Sequence, residues 1–168
     1  MRFAYADPPY IGQSKRHYGH HADYAGEVDH VALIARLVTE YPDGWALSLS
    51  STTLQQILPM CPNDVRVGAW VKPFASFKPG VNPAYAWEPV IWRGGRKRSR
   101  DSQTTRDWVA ANITMNRGLS GAKPDIFCQW VFDLLGAEHG DEIDDLFPGS
   151  GAVSRSWDQR RRIQILGL

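Results

Sequence analysis

The sequence predicts an α/β fold, in which a parallel sheet carries helices on its faces. Short apolar segments of strand length alternate with segments whose apolar residues recur at helical spacing, in the order strand, helix, strand, helix, strand. The links between them are short and rich in turn residues, as in Tyr41-Pro42-Asp43-Gly44. The 168 residues, of which 43% are hydrophobic and 22% charged, suit one globular domain that spans 1–168.

The first part of the chain supplies three predicted strands and two predicted helices. Asp29 can cap the first helix, in which Val31, Ile34 and Val38 share one face. Pro59 ends the second helix, which is short. The predicted strands are 2–6, 45–50 and 65–71, and the predicted helices are 31–38 and 54–58.

The second part is less regular. Residues 85–92 read as a strand, but Pro89 cannot donate to a sheet ladder, so we expect an edge strand or a bulge there. Residues 107–120 show no clear period. Pro124 suits the first turn of a helix whose apolar face includes Phe127 and Val131. The remaining predicted elements are a strand at 142–147, a helix at 152–162 and a last strand at 163–166.

Composition excludes several classes of protein. The formal net charge is +1, so any basic surface for nucleic acid must be local. Cys61 and Cys128 lie far apart without a Cys-x-x-Cys spacing, which fits neither a disulfide framework nor a zinc site and favours a reducing compartment. No segment approaches the ~18 apolar residues of a membrane span, and the chain opens on a strand instead of a signal peptide. We therefore expect a cytoplasmic protein without a membrane partner.

A polar, glycine-containing segment at 11–26 follows the first strand and could form a flap over a site at its end. His17, His20 and His21 within it, and His30 after it, raise the alternative of a metal centre. Their spacing in a loop without partner cysteines gives poor ligand geometry. Exposed histidines near a polyanion are the favoured interpretation, and we expect no metal.

The segment 93–106 breaks the composition of the chain, because it is basic and lacks aliphatic residues. It cannot form a packed core. One interpretation is a solvated loop, and the other is a loop that contacts nucleic-acid phosphates; the two are compatible, because such loops often become ordered on binding. The residues predicted to bind nucleic acid are Arg93, Arg96, Lys97, Arg98 and Arg100.

Asp7-Pro8-Pro9-Tyr10 follows the first predicted strand directly. The prolines fix φ and have no backbone N–H, so a rigid turn sets the direction of their carbonyls. The aspartate adds an acceptor beside those carbonyls, and the tyrosine adds a flat face. Such a loop can accept hydrogen bonds from an amino group and stack on a planar ring, as an exocyclic amine on a nucleobase requires.

A second motif joins the strand at 142–147 to the next helix through Gly149-Ser150-Gly151. Glycines let a ligand approach the backbone closely, and the helix N-terminus offers unpaired N–H groups to a carboxylate or phosphate. Taken alone, the same pattern is more typical of a tight strand-to-helix turn without a ligand.

The two motifs together resemble those of the S-adenosylmethionine-dependent amino-methyltransferases, which methylate adenine N6 or cytosine N4. Asp7-Pro8-Pro9-Tyr10 resembles their catalytic motif, and the segment 145–151 is similar to their cofactor motif. The catalytic motif comes first, as in the permuted, beta-type order shared in outline with adenine methyltransferases related to the eukaryotic messenger-RNA enzyme. Lys123-Pro124 stands where that group has a cofactor-binding Lys-Pro, and 45–50, 67–73 and 87–92 resemble the minor motifs of the target pocket.

The resemblance implies a Rossmann-like methyltransferase sheet with helices on both faces and S-adenosylmethionine as cofactor. The implied catalytic residues are Asp7, Pro8, Pro9 and Tyr10. The implied cofactor-binding residues are Asp7, Lys123, Asp145, Phe147, Gly149, Ser150, Gly151 and Arg155.

The chain departs from the resemblance at the cofactor-side edge, where we expect the sheet to be truncated. Relatives carry a ribose-binding acid after the second cofactor-side strand, whereas here 163–166 is followed only by Gly167-Leu168, so Ser154, Arg155 or Asp158 are the candidates. A strand at 163–166 without an outer neighbour also suggests a homodimer or a partner subunit.

The implied function is methyl transfer to adenine N6 in DNA, in a bacterial or phage-infected cell. The alternatives are a non-catalytic nucleic-acid-binding subunit and a methyltransferase for RNA, cytosine N4 or a free nucleotide.

Overall fold

The computed structural model describes residues 1–11, 27–74, 79–113 and 122–166, with side chains described to residue 163. The strands are β1 (Arg2–Ala6), β2 (Gly44–Ser48), β3 (Arg66–Val71), β4 (Trp87–Gly94), β5 (Trp108–Ala110) and β6 (Glu142–Asp145). The helices are α1 (His30–Glu40), α2 (Leu54–Ile57), α3 (Asp125–Leu135) and α4 (Ala152–Leu166), with a 3₁₀ turn at Leu58–Met60. The proposed flap at 11–26 lies outside the described residues except for Ile11.

The strands form one sheet in the order β5-β3-β4-β2-β1-β6. β1 pairs in parallel with β2 and β6, and β3 pairs in parallel with β5. β4 is antiparallel to both of its neighbours, β2 and β3. The predicted parallel sheet is therefore confirmed for every described strand except β4, which runs the other way.

The predicted edge or bulge at Pro89 is wrong, because β4 lies inside the sheet. Pro89 faces β2 just beyond its last residue, where its carbonyl accepts the N–H of Leu49 at 3.2 Å. The backbone N–H that proline lacks would thus point beyond the end of β2. Its absence therefore removes no hydrogen bond between β2 and β4. A proline at this register is compatible with a central strand.

The predicted last strand is also wrong, because α4 continues through Leu166. No glycine or proline interrupts the chain between Ala152 and Leu166, so nothing in the sequence ends the helix before Gly167. β6 is the edge strand on this side, and the unpaired edge from which a partner was inferred is not at 163–166. At the opposite edge β5 was missed, because three residues are too few to show a period.

Alternating side chains of the strands fill two separate cores. In β1, Phe3 and Tyr5 face the core formed with α3 and α4, which includes Trp157. Ala4 and Ala6 face the core formed with α1 and α2. Helices therefore cover both faces, as predicted.

Local signals account for the ends of the helices that frame this sheet. The Asp29 carboxylate accepts the N–H of Ala32 at 3.0 Å and caps α1, as predicted. Gly136 ends α3 with a left-handed φ of 63°, which glycine adopts without strain. Within the described part of the chain, no helix has the length and apolar character to cross a bilayer.

The close approach of β3 and β5 depends on Gly68. A Cβ at this position would meet the Asp107 carbonyl oxygen at 2.5 Å and the rings of Trp92 and Trp130 at 3.0 and 3.1 Å. We expect Gly68→Ala to lower the free energy of unfolding by about 1–3 kcal/mol through overpacking. Urea denaturation measures it; Gly140→Ala is the matched control, because a Cβ there has no neighbour within 4 Å. Equal stability of the two variants would contradict the prediction.

Candidate active site

The two predicted motifs follow neighbouring parallel strands at the same edge of the sheet. Tyr5 of β1 is in register with Asp145 of β6, and the N–H of Leu146 donates to the Tyr5 carbonyl at 2.9 Å. The carboxyl ends of parallel strands meet at one edge, which is where open α/β sheets bind ligands. The structure thus places the Asp7 loop beside the glycine turn, as the sequence predicted.

Three further elements bring charged side chains to the same edge. β4 runs antiparallel, so Glu88 near its beginning lies at the end where β1 finishes. Lys72 directly follows β3, and its N–H donates to the Ala86 carbonyl at 2.8 Å. Lys123 stands two residues before α3. The Asp7 loop, the start of β4, the end of β3 and the segment before α3 therefore bring charged side chains to the same end of the strands.

The converging charges form a compact network of two cations and two anions. The Nζ of Lys123 lies 3.0 Å from Oδ1 of Asp7 and 3.6 Å from Oε2 of Glu88. Lys72 also pairs with Glu88, through Oε1. Both ammonium groups lie over the Trp70 ring, at 4.6 Å for Lys72 and 5.3 Å for Lys123, which adds cation–π attraction.

The network is largely removed from solvent, with side chains 7% exposed for Lys123, 19% for Glu88 and 23% for Asp7. Burial raises the pKa of Asp7 above its ordinary value, although Lys123 opposes the shift. Burial acts in the same direction on Glu88, but the ammonium groups of Lys123 and Lys72 outweigh it and lower the pKa of Glu88. The pKa of Lys123 is raised, because Asp7 and Glu88 overcome the effect of burial. The shifts thus favour the charged forms of Glu88 and Lys123, whereas burial works against the charged form of Asp7.

Tyr10 is linked to this network through its hydroxyl, which donates to Oε2 of Glu88 at 2.9 Å. Beneath the loop, the Tyr5 hydroxyl and the Ser48 hydroxyl are 2.7 Å apart, and burial raises the pKa of Tyr5 well above its ordinary value. The Tyr5 side chain is thus neutral and hydrogen-bonded, and it lies in the core next to the start of the Asp7 loop. Pro8 is buried, while Pro9 and Tyr10 are partly exposed.

The glycine turn joins β6 to α4, as the sequence predicted. Gly149 and Gly151 take left-handed φ values of 47° and 71°. A Cβ at Gly149 would find its nearest neighbour only at 3.8 Å, so the space above this glycine is open to a ligand. Arg155 donates to the Ser150 carbonyl at 2.7 Å. The structure thus shows Arg155 holding the turn itself, and its direct contact with a cofactor stays a prediction.

The acidic residue before the turn is shielded from solvent. Asp145 accepts the N–H of Phe147 at 3.3 Å. Burial, with a smaller contribution from the nearby Asp7 carboxylate, raises the pKa of Asp145. Phe147 packs against the core on the α1 side. Ser154 and Asp158, the other candidates for ribose contact, are exposed on α4.

The basic segment lies at the other end of the strands, away from the Asp7 loop. Gly94 at the end of β4 pairs with Gly44 at the start of β2, so the chain after β4 leaves from the edge far from Asp7. Across a strand of five residues, this separation is roughly 17 Å.

Two of the predicted nucleic-acid-binding residues already have carboxylate partners. Arg93 donates to Asp64 at 2.7 Å, and Arg96 donates to Asp141 at 2.8 Å and to the Gly136 carbonyl at 3.0 Å. The exposed residues among the five predicted to bind nucleic acid are Lys97, Arg98 and Arg100. A role of the segment in binding nucleic acid stays a prediction, and it concerns these three residues.

Sequence reasoning did not single out Lys72 and Glu88, although both lie in segments that resemble minor motifs. A sequence signal that could have identified them is the proline that follows each, Pro73 and Pro89, near the end of a predicted strand. Of the histidines considered as metal ligands, His30 is buried with Nδ1 2.9 Å from the Val28 carbonyl, and the other three lie outside the described residues. Among the residues that the structure describes, no group of three His, Cys, Asp or Glu side chains could hold a metal.

Comparison with known proteins identifies the fold. No protein-family model and no curated protein matches the chain. A crystal structure of M1.HpyAVI in complex with SAM is similar, with a TM-score of 0.61 and 14% identity over 94% of this chain and 78% of that one. A crystal structure of M1.HpyAVI has a TM-score of 0.60 and 13% identity over 95% of this chain and 76% of that one. The chain thus has the Rossmann-like methyltransferase fold.

The charge network predicts a pH-dependent effect of Lys123→Met. In the wild type, the lowered pKa of Glu88 contributes stability above its ordinary pKa, and this is lost as pH falls through the folded value. The variant removes one of the two cations that lower the pKa of Glu88, and it removes the cation that opposes the raised pKa of Asp7, so the two carboxylates cost stability at neutral pH. We expect a loss of about 3 kcal/mol at pH 7 that shrinks as the solution is acidified through pH ~5.

Urea unfolding at neutral and at acidic pH measures this effect. Arg93→Met is the control, because its partner Asp64 is 62% exposed and its loss costs less than about 1 kcal/mol. A Lys123→Met deficit that stays constant with pH would show that the carboxylates do not depend on Lys123.

Proposed function

We propose that the chain is an S-adenosylmethionine-dependent methyltransferase that methylates the exocyclic amine of a nucleobase, with adenine N6 in DNA as its target. The observation that carries the proposal is the placement of the Asp7-Pro8-Pro9-Tyr10 loop and the Gly149-Ser150-Gly151 turn after adjacent parallel strands. An amine acceptor and a backbone cradle thus follow neighbouring strands at the same end of the sheet. The likeness in fold to M1.HpyAVI, whose crystal structure was determined with SAM, supports the choice of cofactor.

The residues around the glycine turn fit this cofactor. The left-handed glycines and the open space above Gly149 leave room for a ligand against the backbone. The N-terminus of α4 adds free N–H groups for a carboxylate. S-adenosylmethionine supplies an electrophilic methyl group when bound.

The Asp7 loop would orient the target base. A base must leave its stack, or arrive unpaired, to enter such a crevice. The Asp7 carboxylate and the Pro8 carbonyl accept hydrogen bonds from the two amine hydrogens, and the Tyr10 ring stacks on the base. These bonds draw the nitrogen lone pair out of conjugation and aim it at the methyl donor. Alignment supplies most of the rate, and no covalent intermediate is needed.

Both cysteines stay outside this scheme. Cys128 is buried in the core, and burial raises the pKa of its thiol to about 12, so it holds no thiolate at neutral pH. Cys61 is half-buried near α2, and burial raises its pKa as well.

Transfer of labelled methyl groups tests the function directly. The substrates are duplex DNA, single-stranded DNA, RNA and free nucleotides, and digestion of the product identifies the methylated base. Label on adenine N6 of DNA supports the full proposal. Label on cytosine, RNA or nucleotides changes the substrate, and no incorporation on any substrate favours a non-catalytic nucleic-acid-binding subunit.

Asp7→Ala should abolish methyl transfer yet bind the cofactor nearly as well as the wild type. The reason is that the carboxylate faces the amine, whereas the glycine turn holds the cofactor. Single-turnover rates and calorimetric titration with S-adenosylhomocysteine measure the two properties. Asp101→Ala, in the exposed loop at the far edge, is the control. Normal turnover by Asp7→Ala would remove this carboxylate from the mechanism.

We also propose that Lys97, Arg98 and Arg100 contact the phosphates of a long nucleic acid that reaches the far edge of the sheet. Replacing all three by Ala should weaken binding and reduce the slope of log K against log salt by up to about 3. The effect should appear with a duplex of roughly 30 base pairs, ~100 Å long, and diminish as the duplex is shortened toward the roughly 17 Å that separates the Asp7 loop from the segment. The control is Arg36→Ala with Arg162→Ala, on exposed helix positions. An unchanged slope with the long duplex would exclude these contacts.

A further inference from the structure

Glu88 is an acidic group beside the Asp7 loop to which the proposed chemistry gives no task. Its carboxylate is only 19% exposed, although ionised side chains are rarely buried without a partner. It touches a lysine on each side and the hydroxyl of Tyr10. A carboxylate placed in this way contributes either to stability alone or to the geometry of the residues around it.

The contacts of Glu88 favour the second role, because they reach both parts of the amine-binding loop. Oε2 accepts the Tyr10 hydroxyl at 2.9 Å, which fixes the hydroxyl end of the ring. The same oxygen lies 3.6 Å from the Nζ of Lys123, which in turn lies 3.0 Å from Asp7. One carboxylate oxygen thus connects to the ring that would stack on the base and to the carboxylate that would accept its amine.

The backbone that carries Glu88 is more rigid than the loop that it contacts. β4 pairs with β3 on one side and with β2 on the other, and Glu88 itself is in register with Trp70. Residues 7–10 themselves belong to no strand, and two prolines leave the loop few backbone donors. Lys72 holds Glu88 from the opposite side. The loop therefore takes its position from the sheet through this side chain.

We propose that Glu88 is a positioning residue of the proposed methyl-transfer site: held by Lys72, it fixes the Tyr10 ring directly and Asp7 through Lys123. This inference rests on the proposed function for its catalytic consequence. Its structural content, that Glu88 orders the Asp7–Tyr10 loop, stands apart from any activity. Glu88 touches neither the base nor the methyl donor in this scheme.

Two variants separate the contacts of Glu88. Glu88→Ala removes both links, so kcat should fall ~100-fold, the effect of a misplacement of about 1 Å, while KM for S-adenosylmethionine stays within about twofold. Glu88→Gln keeps an oxygen for the Tyr10 hydroxyl but loses the charge. Because the Glu88 charge raises the pKa of Asp7, its removal lowers that pKa. The acid limb of kcat should then move to lower pH in Glu88→Gln, which a purely structural role would not cause.

Amide hydrogen exchange tests the structural content without activity. In Glu88→Ala, the amides of Tyr10 and Ile11 should exchange about tenfold faster than in the wild type, because a hydrogen bond to a charged acceptor is lost. Glu138→Gln is the control, since it also removes a carboxylate charge, 3.4 Å from Arg96 and at the far edge of the sheet. It should leave exchange in the loop and the pH profile unchanged.

The outcomes distinguish the two proposals. Faster loop exchange in Glu88→Ala, together with a wild type that methylates nothing, refutes the function and upholds the ordering role. An active wild type, with Glu88→Ala close to it in kcat and in loop exchange and Glu88→Gln with an unmoved acid limb, overturns the positioning role. If Glu88→Ala fails to fold, Glu88→Gln and Tyr10→Phe still decide: a wild-type acid limb in the first and wild-type loop exchange in the second reject the inference.

Discussion

The arrangement of the candidate site depends on the contacts of the Lys123 ammonium group with Asp7 and Glu88. Asp7 and Glu88 are two partly buried carboxylates at one edge of a sheet, and without a cation between them one would have to take up a proton. Lys123 contacts both and comes from the segment before α3. The Nζ atom of Lys123 therefore connects the loop after β1 with β4. Because Lys123 stands two residues before α3, it also connects both to the helix that covers the core.

The antiparallel β4 is what makes this arrangement possible. In a parallel strand, a residue near the beginning lies at the edge far from the carboxyl ends, so Glu88 would be remote from Asp7. Reversal of one strand brings its first residues to the edge where β1 and β6 end. The same reversal sends Arg96 to the opposite edge, where it pairs with Asp141. One change of direction thus separates the charge network around Lys123 from the basic segment.

Sequence reasoning found what is local and missed what depends on pairing. Strand β1, the Asp29 cap and the glycine turn carry their signals in a few adjacent residues, and each was predicted correctly. The direction of β4 was not predictable from its own residues, because an internal strand reads alike in both directions. Without that direction, neither the pairing of Glu88 with Lys123 nor the position of the basic segment follows. The helical end of α4 was missed because alternating isoleucines are typical of a strand.

The ion pair between Lys123 and Asp7 lies between the sites proposed for the cofactor and for the base. A cofactor carboxylate that attracted Lys123 would compete with Asp7 for the same ammonium group. Loss of that cation raises the pKa of Asp7, and a more basic carboxylate is a stronger acceptor for an amine hydrogen. Lys123 also lies 3.6 Å from Glu88, so the proposed sites for cofactor and base share one cation that contacts both carboxylates.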